Sequence, residues 1–240
     1  MLPSPNPFAT RYTRPGAMQP LDAAGRPVHA AEMLGRLDRL GGAAAIIGPH
    51  GSGKSTLLCR LADAVDAGGG TALRLRLRDG RDGGRVLLAM LRARAGSVVL
   101  LDGWETAGRI GGMLARTIAR LRGCGLVVTA HGAVGLPMLV RCRTNVALLN
   151  AIVDRLPGRS EWYGRLIFPA DVAETFAAHG GDIREALFAL YDRYERRLRD
   201  EGRAGREGRE ADADGAGPGS GIQEIVGGFS CPGAPGRNLR

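Results

Sequence analysis

Two periods alternate along the first two thirds of the chain. From Ala30 to Leu40, Met33, Leu34, Leu37 and Leu40 recur at helical spacing until Gly41-Gly42 interrupts them, so a helix is predicted there. Ala43 to Ile47 is a short unbroken apolar run ending at a glycine, the mark of a strand buried on both faces. A helix is predicted over Ser55 to Ala67. Thr71 to Arg78 alternates strictly: Leu73, Leu75 and Leu77 face a core and Arg74, Arg76 and Arg78 face solvent, as in a half-buried strand near a sheet edge. Val86 to Arg94 predicts a helix and Ser97 to Leu101 a buried strand ending at Asp102. Gly108 to Arg122 predicts an arginine-studded helix, and Leu126 to Thr129 another buried strand.

After Asn145 the period is helical, over Val146 to Leu156, Asp171 to Ala178 and Ile183 to Leu198. The last segment carries Ile183, Ala186, Leu187, Leu190, Tyr191 and Tyr194 on one face. Strands alternating with helices call for a parallel sheet with crossover helices. The expected layout is an extended lead-in over 1–25, an α/β core over 26–144, a small helical lid over 145–198, and a disordered tail over 199–240. The tail has no apolar period, and its one apolar patch is Ile222 to Val226.

Composition narrows this picture without changing it. A chain of 240 residues with 44% apolar content suits one core domain and a lid. No run approaches the ~18 apolar residues of a membrane helix, and the opening Met-Leu-Pro-Ser-Pro-Asn-Pro has no secretory h-region. The expectation is therefore a cytoplasmic protein with no membrane partner. The four cysteines, Cys59, Cys124, Cys142 and Cys231, form no C-x-x-C pair, so reduced thiols are expected rather than a zinc or redox motif. The net charge of +9 leaves nucleic acid among the partners the sequence allows. Arginine replacing lysine on ordinary solvated faces accounts for the charge equally. The chain has a single lysine, Lys54. Its survival is informative, because a compact ammonium at a phosphate is a role arginine fills poorly.

That lysine lies in Gly48-Pro49-His50-Gly51-Ser52-Gly53-Lys54-Ser55-Thr56, a match to G-x-x-x-x-G-K-[ST] between a predicted strand and a predicted helix. Glycines allow the backbone to wrap phosphate oxygens closely, and the helix start adds a positive dipole end. Lys54 is expected to reach the β- and γ-phosphates, and Ser55 to ligate Mg²⁺. The expected ligands are ATP or ADP with Mg²⁺. A strand-end carboxylate, Asp102, is the expected second metal-side group. Glu105, in Asp102-Gly103-Trp104-Glu105, is the candidate to orient or deprotonate water, although it also suits a helix cap. Thr129 and His131, at the end of the next strand, are both placed to touch a terminal phosphate.

With these residues in hand, the chain resembles AAA+ ATPases, and its second half is similar to their clamp-loader and replication-initiator branch. Thr129 stands at that family's sensor-1 position. Val140-Arg141-Cys142-Arg143 resembles the Ser-Arg-Cys motif, whose arginine acts as a finger on a neighbouring subunit's ATP. Gly180-Gly181-Asp182-Ile183-Arg184-Glu185-Ala186-Leu187 resembles the sensor-2 segment of the lid. The resemblance covers residues 40–195. It implies a P-loop NTPase three-layer α/β sandwich, a helical lid, catalytic roles for Thr129, Arg141 and Arg184, and a homo-oligomer or partner protein. The opening Asn6 to Gly16 also resembles an uncharacterised bacterial family of small ATP-binding proteins. Two departures stand out: Gly103 separates Asp102 from the next acid, and Val140 replaces the finger motif's serine. Apart from the resemblance, Arg184 follows a Gly-Gly turn, from which a guanidinium can swing onto a phosphate as a lid closes. Three other readings remain open at this level. They are a nucleotide switch or scaffold with little hydrolysis, an ABC-type ATPase, and a small-molecule kinase.

Overall fold

The computed structural model describes residues 5–79 and 81–214, with side chains through residue 204. The chain divides into two compact units, Met1–Leu198 and Arg199–Arg240. In the first, a short helix α1 (Thr10–Thr13) and helix α2 (Ala30–Arg39) precede strand β1 (Ala43–Ile47) and helix α3 (Lys54–Ala67). Strand β2 (Ala72–Arg76), helix α4 (Asp82–Leu91), strand β3 (Val98–Asp102) and a 3-10 turn (Trp104–Ala107) follow. Helix α5 (Gly108–Leu121), strand β4 (Gly125–Ala130) and strand β5 (Met138–Arg141) complete the sheet-bearing region. Helices α6 (Val146–Val153), α7 (Arg159–Trp162), α8 (Pro169–Ala178) and α9 (Ile183–Asp214) close the described chain.

The sheet has five strands in the order β2-β3-β4-β1-β5, and every pairing is parallel. The unbroken apolar runs of β1, β3 and β4 occupy its centre, as burial on both faces requires. Alternate residues feed opposite layers. Ala44, Ile46, Leu100 and Val127 pack against Met33 and Leu37 of α2 and Leu57, Leu58 and Leu61 of α3. Ala45, Val99, Leu101, Leu126 and Val128 pack against Val86 and Met90 of α4 and Ala115 and Ala119 of α5. The fold is thus an α/β sandwich of three layers. The arginine-alternating β2 is an edge strand, as its pattern predicts. There Arg74 reaches across to α3, with Nη2 2.6 Å from Asp63 Oδ1.

β5 is not predicted by the pattern. Four residues on the opposite edge, Met-Leu-Val-Arg, follow Pro137 without periodicity; they pair with β1, and Leu139 packs into the core beside α2. A third cluster lies under the C-terminal helices: Leu148, Leu149 and Val153 of α6, Trp162 of α7, Val172 of α8, and Ile183, Ala186, Leu187, Leu190 and Tyr194 of α9. Asp171 locks α8 to α9. It accepts from Arg193 at 2.6 Å and from Arg197 at 2.5 and 3.0 Å, and its Oδ2 also accepts from the Phe168 N–H at 2.8 Å.

The first 25 residues are not an independent lead-in. Phe8 is fully buried in the lid cluster, its ring 5.2 Å from that of Trp162 and 6.3 Å from that of Tyr194. Asn6 Nδ2 donates to the Tyr191 carbonyl at 3.2 Å and to Glu195 Oε1 at 2.9 Å. Two aromatic residues, Phe8 and Tyr12, in an otherwise Pro- and Gly-rich stretch were the available signal. The tail also departs from expectation, because α9 runs on through Asp214. Its Arg, Glu and Ala content favours helix without needing an apolar face. The Ile222–Val226 patch and Cys231 lie outside the described residues.

Candidate functional site

The parallel sheet sends the carboxyl ends of β1, β3 and β4 to one edge, and the residues singled out in the sequence converge there. β4 lies between β1 and β3, so the Gly48–Gly53 loop after β1 and Asp102 at the end of β3 flank Thr129 at the end of β4. Lys54 opens α3 and folds back over the loop. Its Nζ donates to the carbonyls of Gly48 at 2.8 Å and Pro49 at 2.7 Å. Ser52 Oγ donates to the Pro49 carbonyl at 2.8 Å, tightening the same turn. Burial holds the Lys54 ammonium below its ordinary pKa, and Cys142, Glu105 and Asp102 oppose that depression. An anion beside it would reinforce the same opposition.

Asp102 is fixed through both oxygens. Ser55 Oγ donates to its Oδ2 at 3.0 Å, and Thr129 Oγ1 donates to its Oδ1 at 2.6 Å. Arg76 Nε lies 3.6 Å from Oδ2. Thr129 Oγ1 also accepts from the Gly103 N–H at 3.1 Å. The hydroxyl of the buried Thr129 thus spends its one proton on Asp102. That hydroxyl therefore holds the Asp102 carboxylate in place.

Gly103 explains why no acid directly follows Asp102. Its φ is +89°, and a Cβ there would overlap the Leu77 carbonyl. The next acid, Glu105, rides on the 3-10 turn that the buried Trp104 anchors. Its carboxylate accepts from the backbone N–H of His131. His131 Nδ1 lies 3.2 Å from the Gly48 carbonyl and 3.4 Å from Lys54 Nζ, and its ring stacks on His50 with centroids 3.9 Å apart. His50, Lys54, Glu105 and His131 therefore form one contiguous group. A strand-end histidine alone gives no hint in the sequence of such a ring partner.

A single cavity of about 420 Å³ joins these groups, within the range of small-ligand sites. One wall is the glycine-rich loop with Asp102, Glu105, Thr129 and His131. The lining also includes the apolar Met18, Leu21, Val28, Leu148, Ile152 and Leu187. Arg184 lines the cavity from the start of α9, as the sequence suggested. Arg141 and Arg143 line it from the end of β5, where Arg141 sits beside Ile47 in register. Arg141 therefore faces its own chain's cavity, whereas the resemblance places that arginine on a neighbour's nucleotide. Between them, Cys142 is half-buried, and burial pushes its thiol up to about 11 with Lys54 pulling the other way, which disfavours the reactive thiolate.

The lid touches the loop directly. Asp182 caps α9, its Oδ1 accepting from the backbone of Arg184 at 2.9 Å and Glu185 at 3.2 Å. The same oxygen lies where a Cβ on Gly51 would be, and Gly51 has a φ of +64°. Only glycine fits this contact without displacing the lid.

No protein-family model matches this chain, and no curated protein matches it. Two hard oxygens, Ser55 Oγ and Asp102 Oδ2, stand 3.0 Å apart. That is close to the ~3 Å separating adjacent ligands of an octahedron with bonds of ~2.1 Å, the geometry Mg²⁺ demands. Among the described residues, no three His, Cys, Asp or Glu side chains gather into a metal site. A cation here would be shared between these two oxygens, water and phosphate. No helix among the described residues is long and apolar enough to cross a membrane.

Proposed function

We propose that this chain binds ATP with Mg²⁺ and couples the terminal phosphate to lid position, as an AAA+-like P-loop ATPase. The observation that carries the reading is the hydrogen-bonded join of Ser55 to Asp102 at 3.0 Å, beside a lysine folded over a glycine-rich loop. Under this reading the loop amides and Lys54 hold the β- and γ-phosphates, and Ser55 with Asp102 holds Mg²⁺, which neutralises developing charge on the phosphates. Thr129 holds Asp102 in place. Arg141 and Arg184 supply cations around the phosphates from β5 and the lid. The apolar lining of Met18, Leu21, Val28 and Ile152 receives the nucleoside. Glu105 orients the attacking water and accepts its proton.

A second reading, a switch that binds ATP and hydrolyses little, is favoured by one feature. Glu105 is displaced from Asp102 by the left-handed Gly103 and is already engaged by the His131 N–H. Phosphate release by wild type and Glu105→Gln separates the two. A rate that falls by about 100-fold supports general-base catalysis. An already negligible rate that the substitution leaves unchanged supports the switch. Failure of both ATP and ADP to bind at millimolar concentration with Mg²⁺ present sinks both readings.

A further inference from the structure

Helix α5 is built the wrong way round for a helix that only covers a sheet. The residues it buries are small, Gly112, Ala115 and Ala119. Of its five large aliphatic side chains only Ile118 packs partly on the core, and the other four point outward: Ile110 is 74% exposed, Met113 62%, Leu114 41% and Leu121 81%. At about 100° per residue, Ile110, Met113, Leu114, Thr117 and Leu121 fall in one stripe about 100° wide, opposite the buried face. α4, packed beside α5, buries Val86 and Met90 in the ordinary way but also leaves Leu88 and Leu91 about half exposed. Single exposed leucines are ordinary, but four large aliphatic side chains along one stripe of a single helix mark a binding surface.

Charge identifies the class of occupant. From Gly83 to Val153 the chain has two acidic residues, Asp102 and Glu105, and both belong to the cavity on the carboxyl edge of the sheet. Across α4, α5 and the loops that follow them, Arg85 has Asp82 one turn before it and Arg109 follows Glu105 by four residues, while Arg92, Arg94, Arg116 and Arg120 have no acid within four residues along the sequence. On α5, Arg109, Arg116 and Arg120 share one flank of the stripe, within about 40° of one another at ~100° per residue. We infer that this face docks an acidic amphipathic helix of a partner protein. The partner's apolar ridge would lie along Ile110, Met113, Leu114 and Leu121, and one column of carboxylates would face the three arginines.

The alternatives fit less well. A second copy packed antiparallel through the same stripe would set arginine column against arginine column. A polynucleotide gains nothing from an aliphatic plate, because such interfaces are polar. A bilayer-bound surface is expected to carry Trp, Tyr or Phe anchors with basic residues on both flanks, whereas this stripe is purely aliphatic with arginines on one flank. The inference does not depend on nucleotide binding, since no residue of α5 lines the cavity.

The test uses two fluorescein-labelled synthetic helices about five turns long, ~18 residues each. They share a leucine ridge and differ only in a flanking column of Glu or of Lys. Fluorescence anisotropy is measured against the full chain, against Arg109→Glu/Arg116→Glu/Arg120→Glu, and against Ile110→Ser/Met113→Ser/Leu121→Ser. Thermal melts establish that both variants fold. Wild type should bind the Glu helix saturably and the Lys helix at least about tenfold more weakly, with binding that weakens as salt rises. The charge-reversed variant should invert that preference, and the serine variant should lose both peptides. The inference is overturned if neither helix binds or if the two bind alike. It is also overturned if the charge reversal leaves the preference unchanged. Binding to phosphatidylglycerol vesicles without peptide binding would assign the face to membrane. Concentration-dependent dimerisation that the serine variant abolishes would assign it to a second copy.

Discussion

Thr129→Val distinguishes a residue that positions Asp102 from one that touches phosphate. Valine keeps the shape of threonine and removes only the hydroxyl. In the structure that hydroxyl donates to Asp102 Oδ1 at 2.6 Å and accepts from the Gly103 N–H at 3.1 Å. A hydrogen bond to a charged acceptor contributes about 1.5–3 kcal/mol, and a stranded, partly buried N–H costs ~1–3 kcal/mol. Both losses arise from one oxygen and overlap, so the expected destabilisation is about 3 kcal/mol. For a unit of this size each kcal/mol lowers Tm by roughly 2–4 °C, giving a drop of about 6–12 °C. Scanning calorimetry without nucleotide measures it, and Thr129→Ser should restore most of the loss. Mg²⁺-dependent nucleotide affinity should fall for ATP and ADP alike, because the metal-side carboxylate has lost its support. A variant that melts within about a degree of wild type yet loses only its preference for ATP over ADP refutes the reasoning. The hydroxyl would then be facing the phosphate.

Gly51→Ala should strain the lid contact. The left-handed conformation costs a non-glycine residue about 1–2 kcal/mol, and the added methyl meets Asp182 Oδ1. In a double-mutant cycle of melts, Asp182→Ala should relieve the steric part and leave the conformational part. Strict additivity would mean that lid and loop are not in contact. Asp171 governs the lid's own stability. Burial pushes its carboxyl up, but hydrogen bonds from Arg197, the Phe168 N–H and Arg193 outweigh this and hold it below the usual carboxylate value. A carboxyl depressed on folding stabilises above its unfolded pKa, near ~4, and that contribution is lost as pH falls through the folded value. Asp171→Asn should therefore cost about 3 kcal/mol at pH 7, at the low end for a buried ion pair because both arginines are part-exposed. The gap between variant and wild type should begin to narrow below about pH 4 and close as pH falls through the lower folded value. A gap of constant size in chemical denaturation at pH 7 and pH 3 contradicts this.

The sheet was legible because its central strands are pure apolar runs and its edge strand β2 alternates. Each pattern has one physical reading once the glycine-rich loop fixes the start of α3. Lys54, Ser55 and Asp102 were legible for the same reason, since spacing along parallel strands carries them to one edge. Contacts between distant segments were not legible. Nothing local to Phe8 indicates that it packs on Trp162 and Tyr194, and nothing in Gly51 indicates Asp182. Arg141 resembles a finger by motif, but only the pairing of β5 with β1 places it on its own cavity. Thr129 shows the limit most clearly: its strand-end position was readable, while the partner that consumes its proton was not.

Calorimetric titration of the full chain with ATP tests the central claim, in Mg²⁺ and in excess chelator, beside Lys54→Ala and Asp102→Asn. Wild type should bind one ATP per chain, and Lys54→Ala should show no detectable binding. Chelator should weaken ATP binding to wild type but barely alter binding to Asp102→Asn. Binding that survives Lys54→Ala, or a Mg²⁺ dependence indifferent to Asp102, would contradict the claim.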